Sequence, residues 1–266
     1  KMEKIKDFKL HIIAFVLVVI SEFIGLRSFQ VGPGTALLLP VLYALIIGMF
    51  LGPKFLKIVN EEEMSLASTY IGITVLMLTA KMGFNIGPNI EVIASSGLPL
   101  ILQEFGNFGT IFFALPVAVL LGLDREAIGA TFSIAREGSL AIIGDVYGLD
   151  TPEGQGVMGV YICGTLFGAI YFGLMAGFLP SILPLHPYAL AMACGTGSAS
   201  MMSASSGALA ATFPAMETEI IAFAAASNLL TSATGLYASL FVGLPMTNKL
   251  YEIVKGRKAK KAEEAA

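Results

Sequence analysis

Apolar residues occur along this chain in long blocks, which short polar or glycine- and proline-rich stretches separate. The main blocks lie at residues 10–26, 35–51, 65–80, 110–121, 157–179 and 220–244. A helix needs about 17–25 mostly apolar residues to cross the hydrocarbon core of a bilayer. The pattern therefore predicts an all-α integral membrane protein with about six spans.

The stretch 83–109 is less regular, because prolines and polar residues such as Pro99, Glu104 and Asn107 interrupt it. Its purely apolar part covers only about a dozen residues, which is too short to cross a bilayer comfortably. We interpret this stretch as an interfacial or partly re-entrant segment on the outer side of the membrane, with the next span beginning between residues 106 and 110.

The composition agrees with residence in a membrane. Of the 266 residues, 56% are hydrophobic and only 13% are charged, and the mean hydropathy is +0.80. Soluble domains carry about 25% charged residues, and a water-soluble fold could not cover so much apolar surface. We expect one membrane domain over residues 1–248 and a charged cytoplasmic tail over residues 249–266.

Basic residues indicate an orientation. Lysines precede the first span and follow the last one, Lys54 and Lys57 follow the second span, and Arg125 follows the fourth. Cytoplasmic loops of membrane proteins carry an excess of lysine and arginine. This rule places both termini of a multi-pass protein in the cytoplasm, provided that the two segments described next enter and leave the membrane on the same side.

Two polar, glycine- and serine-rich interruptions mark the second half of the chain, one at residues 135–139 (AREGS) and one at residues 194–200 (CGTGSAS). They superpose on a shared Gly-Ser pair, Gly138-Ser139 onto Gly197-Ser198, and an apolar span follows each. With one span between them, two re-entrant hairpins would enter from opposite faces as an inverted repeat. Two full crossings would instead run parallel. Because broken helices in inverted repeats are typical of secondary transporters, we favour the hairpins.

The interruptions supply candidate ligands for a small charged solute. Charged groups at membrane depth are costly, so they are usually paired, buried or functional. Arg136 is the candidate counter-charge for a substrate carboxylate; alternatively, Arg136 and Glu137 satisfy one another. The predicted substrate-binding residues are Arg136, Gly138, Ser139, Thr196, Gly197, Ser198, Ser200 and Asn228.

A second set of residues is suited to a coupling ion. Carboxylates can carry H⁺, and hydroxyls and unwound backbone carbonyls can bind Na⁺. The predicted coupling residues are Glu137, Asp145, Gly195, Ser203 and Thr231. Asp145 lies about two helical turns after Glu137, and it either faces the same cavity or caps its segment at the water boundary. Close packing between helices is the alternative explanation for the small residues of the second interruption.

Other classes of function have little support. The chain shows no basic stripe with interleaved aromatics, which nucleic-acid binding would favour. Cys163 and Cys194 form no CxxC pair, and His11 and His186 match no metal-ligand spacing, so we expect no metal site and no resident cofactor. The sequence GTGSAS lacks the lysine and the spacing of a phosphate-binding loop. No nucleophile–base arrangement indicates an enzyme.

The segments AREGSLAIIGD (135–145) and GTGSASMMSASSGALAA (195–211), each followed by a long apolar span, resemble the cation:proton antiporter/anion transporter superfamily. That group includes 2-hydroxycarboxylate, bile-acid, glutamate and malonate transporters and small lysine exporters. More closely, residues 35–245 are similar to a branch of small prokaryotic inner-membrane proteins. The resemblance implies two opposed hairpins with tips at Gly138-Ser139 and Gly195 to Ser200. It also implies a homodimer to whose interface the first two spans contribute.

Residues and resemblance together predict a secondary transporter of a small charged metabolite, an organic anion or an amino acid, driven by Na⁺ or H⁺. The chain is shorter than the 2-hydroxycarboxylate carriers and has a charged Arg136-Glu137 pair at the first tip, so the resemblance specifies neither substrate nor ion. The expected partners are the small-molecule substrate and the lipid bilayer. The alternatives are a channel or holin-like pore, and a non-transporting membrane scaffold in which Arg136 and Glu137 form a structural pair.

Overall fold

The computed structural model of the chain describes residues 2–31, 34–67, 70, 74, 77, 80, 84 and 87–264. Side chains are described for these residues except 2–7, 30, 31, 34–37, 137, 165, 166 and 257–264. Within these limits the regular secondary structure is helical apart from one pair of strands, which agrees with the all-α prediction.

The first 51 residues contain two helices and the two strands. Helix α1 covers Met2–Ile24, strands β1 (Arg27–Val31) and β2 (Gly34–Leu38) pair antiparallel, and helix α2 covers Pro40–Leu51. The predicted second span, 35–51, is therefore helical only from residue 40 onward. Proline is favoured in the first turn of a helix and clashes in its interior, which explains why α2 begins at Pro40.

A reciprocal cap begins the helical residues 61–67. The side-chain oxygen of Asn60 accepts a hydrogen bond from the Glu63 amide, and the Glu63 carboxylate accepts one from the Asn60 amide, both at 2.9 Å. Lys9 of α1 donates to both Glu63 carboxylate oxygens at 2.9 Å. These bonds tie α1 to the start of the predicted third span, 65–80. Most of that span lies outside the described residues.

Residues 97–120 form one long helical segment. It consists of α4 (Gly97–Gly106), a π-helical turn (Thr110–Ala114) and α5 (Leu115–Leu120), and a short helix α3 (Ile90–Ser95) precedes it. Because this segment runs through residues 97–109, it differs from the expectation that 83–109 would be irregular. Pro99 is tolerated since it stands in the first turn, where amide groups have no acceptor within the helix.

Among the described residues, two helical segments are long and apolar enough to span a membrane, Gly97–Leu120 and Pro214–Gly256. Only 17% and 28%, respectively, of their apolar windows are buried inside the protein. The core helix of a soluble protein would be mostly buried. These two segments instead leave large apolar side chains exposed, among them Phe113 at 80% and Phe241 at 70%.

Two breaks in helices lie at or next to the two sequence interruptions: the second falls within residues 194–200, whereas the first meets residues 135–139 only at Ala135. Residues 132–135 separate α6 (Glu126–Thr131) from α7 (Arg136–Val146), and residues 195–198 separate α10 (Pro187–Cys194) from α11 (Ala199–Thr212). The shared Gly-Ser pair is not equivalent in the two. Gly138 lies inside α7, whereas Gly197 lies in the break with a φ of 85°, a conformation that glycine adopts readily.

A long helical segment with an internal π-helical turn follows each break. After the first come α8 (Pro152–Cys163), the π turn Gly164–Gly168 and α9 (Ala169–Phe178). After the second come α12 (Glu217–Ala238), the π turn Ser239–Gly243 and α13 (Leu244–Glu264). One shorter helix, α7 or α11, stands between each break and the segment that follows it.

The chain forms two compact units, each built from separate parts of the sequence. The first contains residues 1–94, 166–195 and 199–226, and the second contains 95–165, 196–198 and 227–266. In the first unit α9 packs along α11, with a core of Leu42, Ala169, Met201 and Ala204. In the second unit α6 packs on α8, and Ile128, Phe132, Ile143 and Leu244 belong to its core.

The first broken segment consists of α6, the break at residues 132–135 and α7, and it runs from Asp124 to Tyr147. Its two ends lie close together in the second unit. The Asp124 carboxylate accepts hydrogen bonds from the Tyr251 hydroxyl and, at 2.6 Å, from the Lys255 ammonium group. At the other end, the Tyr147 hydroxyl accepts one from the Asn248 amide at 2.8 Å. Since residues 248–255 belong to one helix, α13 holds both ends of the segment.

The break itself contacts an earlier part of the long helical segment Pro214–Gly256, which continues into α13. Phe132 and Ile134 pack at Gly243, where a Cβ would come within 3.0 Å of Phe132 and 2.5 Å of Ile134. Ala135 packs at Gly235, where a Cβ would come within 2.7 Å of the Ala135 side chain. From its start to its break, the first broken segment therefore contacts Lys255, then Gly243, then Gly235. At its end, after α7, it contacts Asn248.

Glycines let α6 pack with its backbone directly against α8. A Cβ at Gly129 would lie 1.9 Å from the carbonyl oxygen of Glu153, and one at Gly156 would lie 2.1 Å from that of Glu126. Gly159 lies one turn further along α8 and has nothing within 4 Å of its Cβ position. Gly156 and Gly159 thus form a matched pair for testing this contact.

We predict that Gly156→Ala lowers the unfolding free energy by at least the roughly 1–3 kcal/mol typical of overpacking, because the added methyl group meets backbone atoms. Gly159→Ala should leave the stability unchanged or raise it by up to about 1 kcal/mol, since alanine favours helix. Thermal unfolding in detergent, followed by circular dichroism, measures both variants. Equal melting temperatures would contradict the close packing.

The charged cluster of Asp124, Tyr251 and Lys255, just before the start of α6, should make the stability depend on pH. The side-chain hydrogen bonds from Lys255 and Tyr251 hold the pKa of Asp124 below its ordinary value of 3.8. A carboxylate with a lowered pKa stabilises the folded state above that ordinary value, and this stabilisation is lost as the pH falls through the lowered pKa.

Asp124→Asn should therefore lower the melting temperature near neutral pH and should reduce the further loss below about pH 4. Melting temperatures between about pH 6 and 3 provide the measurement. Asp150→Asn, at an exposed turn position, serves as the control. An acid response of Asp124→Asn identical to that of the wild type would refute the role of this carboxylate.

Candidate functional site

A cluster of polar side chains joins the segment 97–120 to α12 in the second unit. The Glu104 carboxylate accepts hydrogen bonds from the hydroxyls of Thr231 at 2.5 Å and Thr234 at 2.9 Å. It also accepts one from the side-chain amide of Gln103. The Asn107 amide donates to the Thr231 hydroxyl at 3.4 Å. One carboxylate, two hydroxyls and two amides thus form a connected network.

Helical spacing explains why these residues meet. Glu104 and Asn107 are three apart on one helix, and Thr231 and Thr234 are three apart on the other, so each pair shares a face. Ser227, four residues before Thr231, lies on the same face as the threonines. It is fully buried, and its hydroxyl has no hydrogen-bond partner among the described residues.

The second break reaches α12 beside this cluster. The Asn228 amide donates to the carbonyl oxygen of Gly197 at 3.2 Å. Asn228 lies one turn before Thr231, so the break and the Glu104 network occupy neighbouring turns of one helix. The left-handed conformation of Gly197, with φ 85°, takes the backbone out of helical geometry at this point.

The first break contacts the same helix just after Thr234, whereas the second break contacts it before Thr231. Ala135 packs at Gly235, and a Cβ at Gly138 would come within 3.2 Å of the Leu236 side chain. Gly235 is the residue after Thr234. Between the contact with Gly197 at Asn228 and the contact with Ala135 at Gly235 lie about two helical turns, or roughly 10 Å.

Arg136 is the first residue after the first break. Its guanidinium donates to the carbonyl oxygen of Tyr161 at 2.6 Å and lies 4.4 Å from the centroid of the Tyr161 ring. Tyr161 stands just before the π-helical turn Gly164–Gly168, where the hydrogen-bond pattern of the helix changes. Such turns occur frequently at functional sites. The side chain of Glu137 lies outside the described residues.

The other predicted residues occupy varied positions. Ser139 is buried, and its hydroxyl has no partner among the described residues. Asp145 is exposed near the end of α7, two residues before Tyr147. Thr196 and Ser198 are half-buried in the second break. The predicted residues in the first unit are Gly195, buried at the end of α10, and Ser200 and Ser203 on α11, exposed and half-buried respectively.

Of the predicted residues, Gly197, Asn228 and Thr231 come together with the Glu104 network. In the sequence, Glu104 and Asn107 interrupt an apolar stretch, and neither is among the predicted site residues. Their three-residue spacing was the available signal, because it matches the spacing of Thr231 and Thr234. Clusters of three or more histidine, cysteine, aspartate or glutamate residues that could hold a metal are absent from the described part of the chain.

Comparison with known families assigns the chain to a group. The family model described as "Protein of unknown function (DUF3100)" matches residues 19–253. The chain belongs to this family. The match includes both breaks, Glu104 and Thr231. No curated protein and no solved structure matches the chain. The comparisons thus link this DUF3100 chain to none of the transporter families that its two glycine- and serine-rich segments resemble.

The Glu104 network leads to a prediction for this DUF3100 protein. Thr231→Val keeps the shape of the side chain but removes a donor to a carboxylate, which should lower the unfolding free energy by about 1–3 kcal/mol. Ser232→Ala is the control, because the exposed Ser232 hydroxyl donates only to the Asn228 carbonyl of its own helix.

Combining Thr231→Val with Glu104→Gln completes a double-mutant cycle. Residues in direct contact show coupling energies of about 0.5–3 kcal/mol, and we expect a value in this range from chemical or thermal unfolding in detergent. Strictly additive effects would mean that the two side chains do not interact.

Proposed function

We propose that this protein is a secondary transporter of a small charged metabolite, an organic anion or an amino acid, driven by a gradient of Na⁺ or H⁺. One observation carries the proposal. Two breaks in helices approach the same helix, at Asn228 and Gly235, on either side of the Glu104 network. Broken helices that meet at a polar site are the recurring architecture of secondary transporters.

Exposed apolar surface supports a location in the membrane. Two helices are long and apolar enough to cross a bilayer, and most of their apolar windows are unburied. The remaining apolar blocks of the sequence complete the proposed arrangement of about six spans. In this arrangement both termini are cytoplasmic, and the membrane is a prokaryotic inner membrane. The proposed homodimer rests on the resemblance alone.

The contacts of the first broken segment support a re-entrant hairpin over a full crossing. A crossing would separate its ends by the thickness of the bilayer, about 30 Å. Asp124 and Tyr147 instead both contact residues 248–255, and the Arg125 guanidinium lies 6.0 Å from the centroid of the Tyr147 ring. The tip then lies at residues 132–135, several residues before the predicted Gly138-Ser139.

For the second broken segment, a ring contact in the first unit favours the same interpretation. The Tyr188 ring, at the start of α10, lies 4.7 Å from the Phe223 ring, centroid to centroid. Phe223 follows the end of α11 by only a short turn and the start of α12. Both ends of this segment therefore lie near the beginning of α12, as a hairpin requires. We propose that the two hairpins enter from opposite faces.

Arg136 is the proposed counter-charge for the substrate. It begins α7, so a positive side chain belongs to the first residue of a helix, and both this charge and a helix N-terminus favour an anion. Hydroxyl, amide and carbonyl groups at Thr231, Asn228 and Gly197 would hydrogen-bond the rest of a small polar solute. Such a site is suited to a carboxylate-bearing metabolite.

Flux measurements in proteoliposomes test the proposal. With a panel of dicarboxylates and amino acids, we expect saturable, gradient-dependent uptake of at least one compound. Arg136→Gln should reduce this uptake about tenfold or more, because a lost charge-assisted hydrogen bond costs about 1.5–3 kcal/mol. Arg27→Gln, which removes an exposed charge at the start of β1, should leave the uptake unchanged.

The alternatives give different results in the same experiment. Conductance without saturation or gradient dependence would indicate a channel or holin-like pore. Absence of flux for the whole panel would favour a non-transporting scaffold. Wild-type uptake that Arg136→Gln does not alter would sink the role of Arg136 while leaving transport in place.

A further inference from the structure

Glu104 is the only ionisable side chain in the 24-residue helical segment Gly97–Leu120. An ionised carboxylate at membrane depth is costly unless a partner neutralises it. The hydrogen-bond partners of Glu104 among the described residues, Gln103, Thr231 and Thr234, are all neutral. Among the described residues, hydroxyl and amide groups therefore solvate the charge of this carboxylate, and no cation pairs with it.

Two other carboxylates show the contrast. Glu153 is buried and paired with Arg125, with a 2.5 Å hydrogen bond from the guanidinium. Glu63 is buried and paired with Lys9 at 2.9 Å. The neighbouring cation balances the charge of the carboxylate in each of these two pairs. Glu104 has a different kind of partner.

Threonine hydroxyls can serve both protonation states of a carboxyl group. A hydroxyl donates to a carboxylate, and after rotation it accepts from a protonated carboxylic acid. Thr231 and Thr234 can therefore keep their hydrogen bonds to Glu104 whether or not it carries a proton. The network permits protonation without leaving a polar group unpaired.

The described stretches that contact this network contain few other ionisable residues. The facing stretch of α12, residues 227–238, contains only Tyr237, whose side chain is 64% exposed. Residues 196–198 of the second break contain none. Arg136 and Glu137 follow the first break, which packs at Gly235. The helices α6 and α7, which flank the first break, and α13, which follows α12, carry further ionisable residues. Counted with their caps, these are Arg125, Glu126, Asp145, Tyr147, Lys249, Tyr251, Glu252, Lys255 and the charged residues that follow Lys255.

We propose that Glu104 is the proton-binding residue that couples substrate movement to the proton gradient; this inference rests on the proposed transport function. Thr234, which binds Glu104, is adjacent to Gly235, where the break that leads to Arg136 packs. An ionised Glu104 repels an anionic substrate, whereas a protonated one does not. Protonation from the aqueous side therefore favours anion binding, and proton and anion move in the same direction.

The main test compares wild type with Glu104→Gln, which resembles the protonated state. In proteoliposomes, an inwardly directed proton gradient should stimulate wild-type uptake of a transported anion. The variant should lose this stimulation completely while retaining exchange of labelled for unlabelled anion. Stimulation that persists in Glu104→Gln, or wild-type uptake driven by Na⁺ alone, would overturn the inference.

A second readout does not depend on transport. In infrared difference spectra between acidic and alkaline pH, the carboxylic acid C=O band of the wild type should contain a component that the band of Glu104→Gln lacks. If the wild type transports nothing in the proteoliposome assay but this component is lost in the variant, the proposed function fails and the proton site stands. A component that persists in the variant would show that another carboxyl group takes up the proton.

Thr234→Val provides a milder variant that keeps the carboxylate. It removes one hydrogen-bond donor to Glu104, so the proton stimulation of uptake and the position of the infrared band should both change. Ser232→Ala, on the same helix but outside the network, should leave both unchanged. Equal values for Thr234→Val and Ser232→Ala would overturn the role of Glu104.

Discussion

A polar group surrounded by apolar residues must find its partner within the protein, and this constraint organises the second unit. Where a helix breaks, backbone groups lose their partners inside that helix, and such backbone is tolerated at membrane depth only under cover of other protein or of a water-filled cavity. The final helix supplies this cover. The Asn228 amide binds the carbonyl of Gly197, and Gly235 and Gly243 admit the side chains of residues 132–135.

Much of this arrangement could be predicted from local patterns. The apolar blocks indicated helices. The second glycine- and serine-rich interruption contains a break, at residues 195–198, and the first begins where the other break ends, at Ala135. Local rules also account for two departures. Pro40 begins a helix inside the predicted second span, and Pro99 stands in a first turn, so it does not end the segment 97–120. In both cases the position of proline within the helix matters more than its presence.

The pairing of distant side chains could not be predicted in the same way. Glu104 and Thr231 are 127 residues apart in the sequence, and each shows only a helical spacing to its near neighbour. Spacing assigns a residue to a face but does not identify the helix opposite. The superposition of the two Gly-Ser pairs was misleading, because Gly138 lies within α7 whereas Gly197 lies in a break.

The type of partner, more than burial, distinguishes the carboxylates of this chain. Glu63 and Glu153 have cationic partners, which hold helix ends and balance the charge of each carboxylate. Glu104 has hydroxyl partners, which can form hydrogen bonds with either protonation state of a carboxyl group. A scaffold could use a glutamine there, which would keep hydrogen bonds to the threonines and avoid the cost of desolvating a charge. The choice of threonine at positions 231 and 234 is therefore the feature that most favours a working site over a structural one.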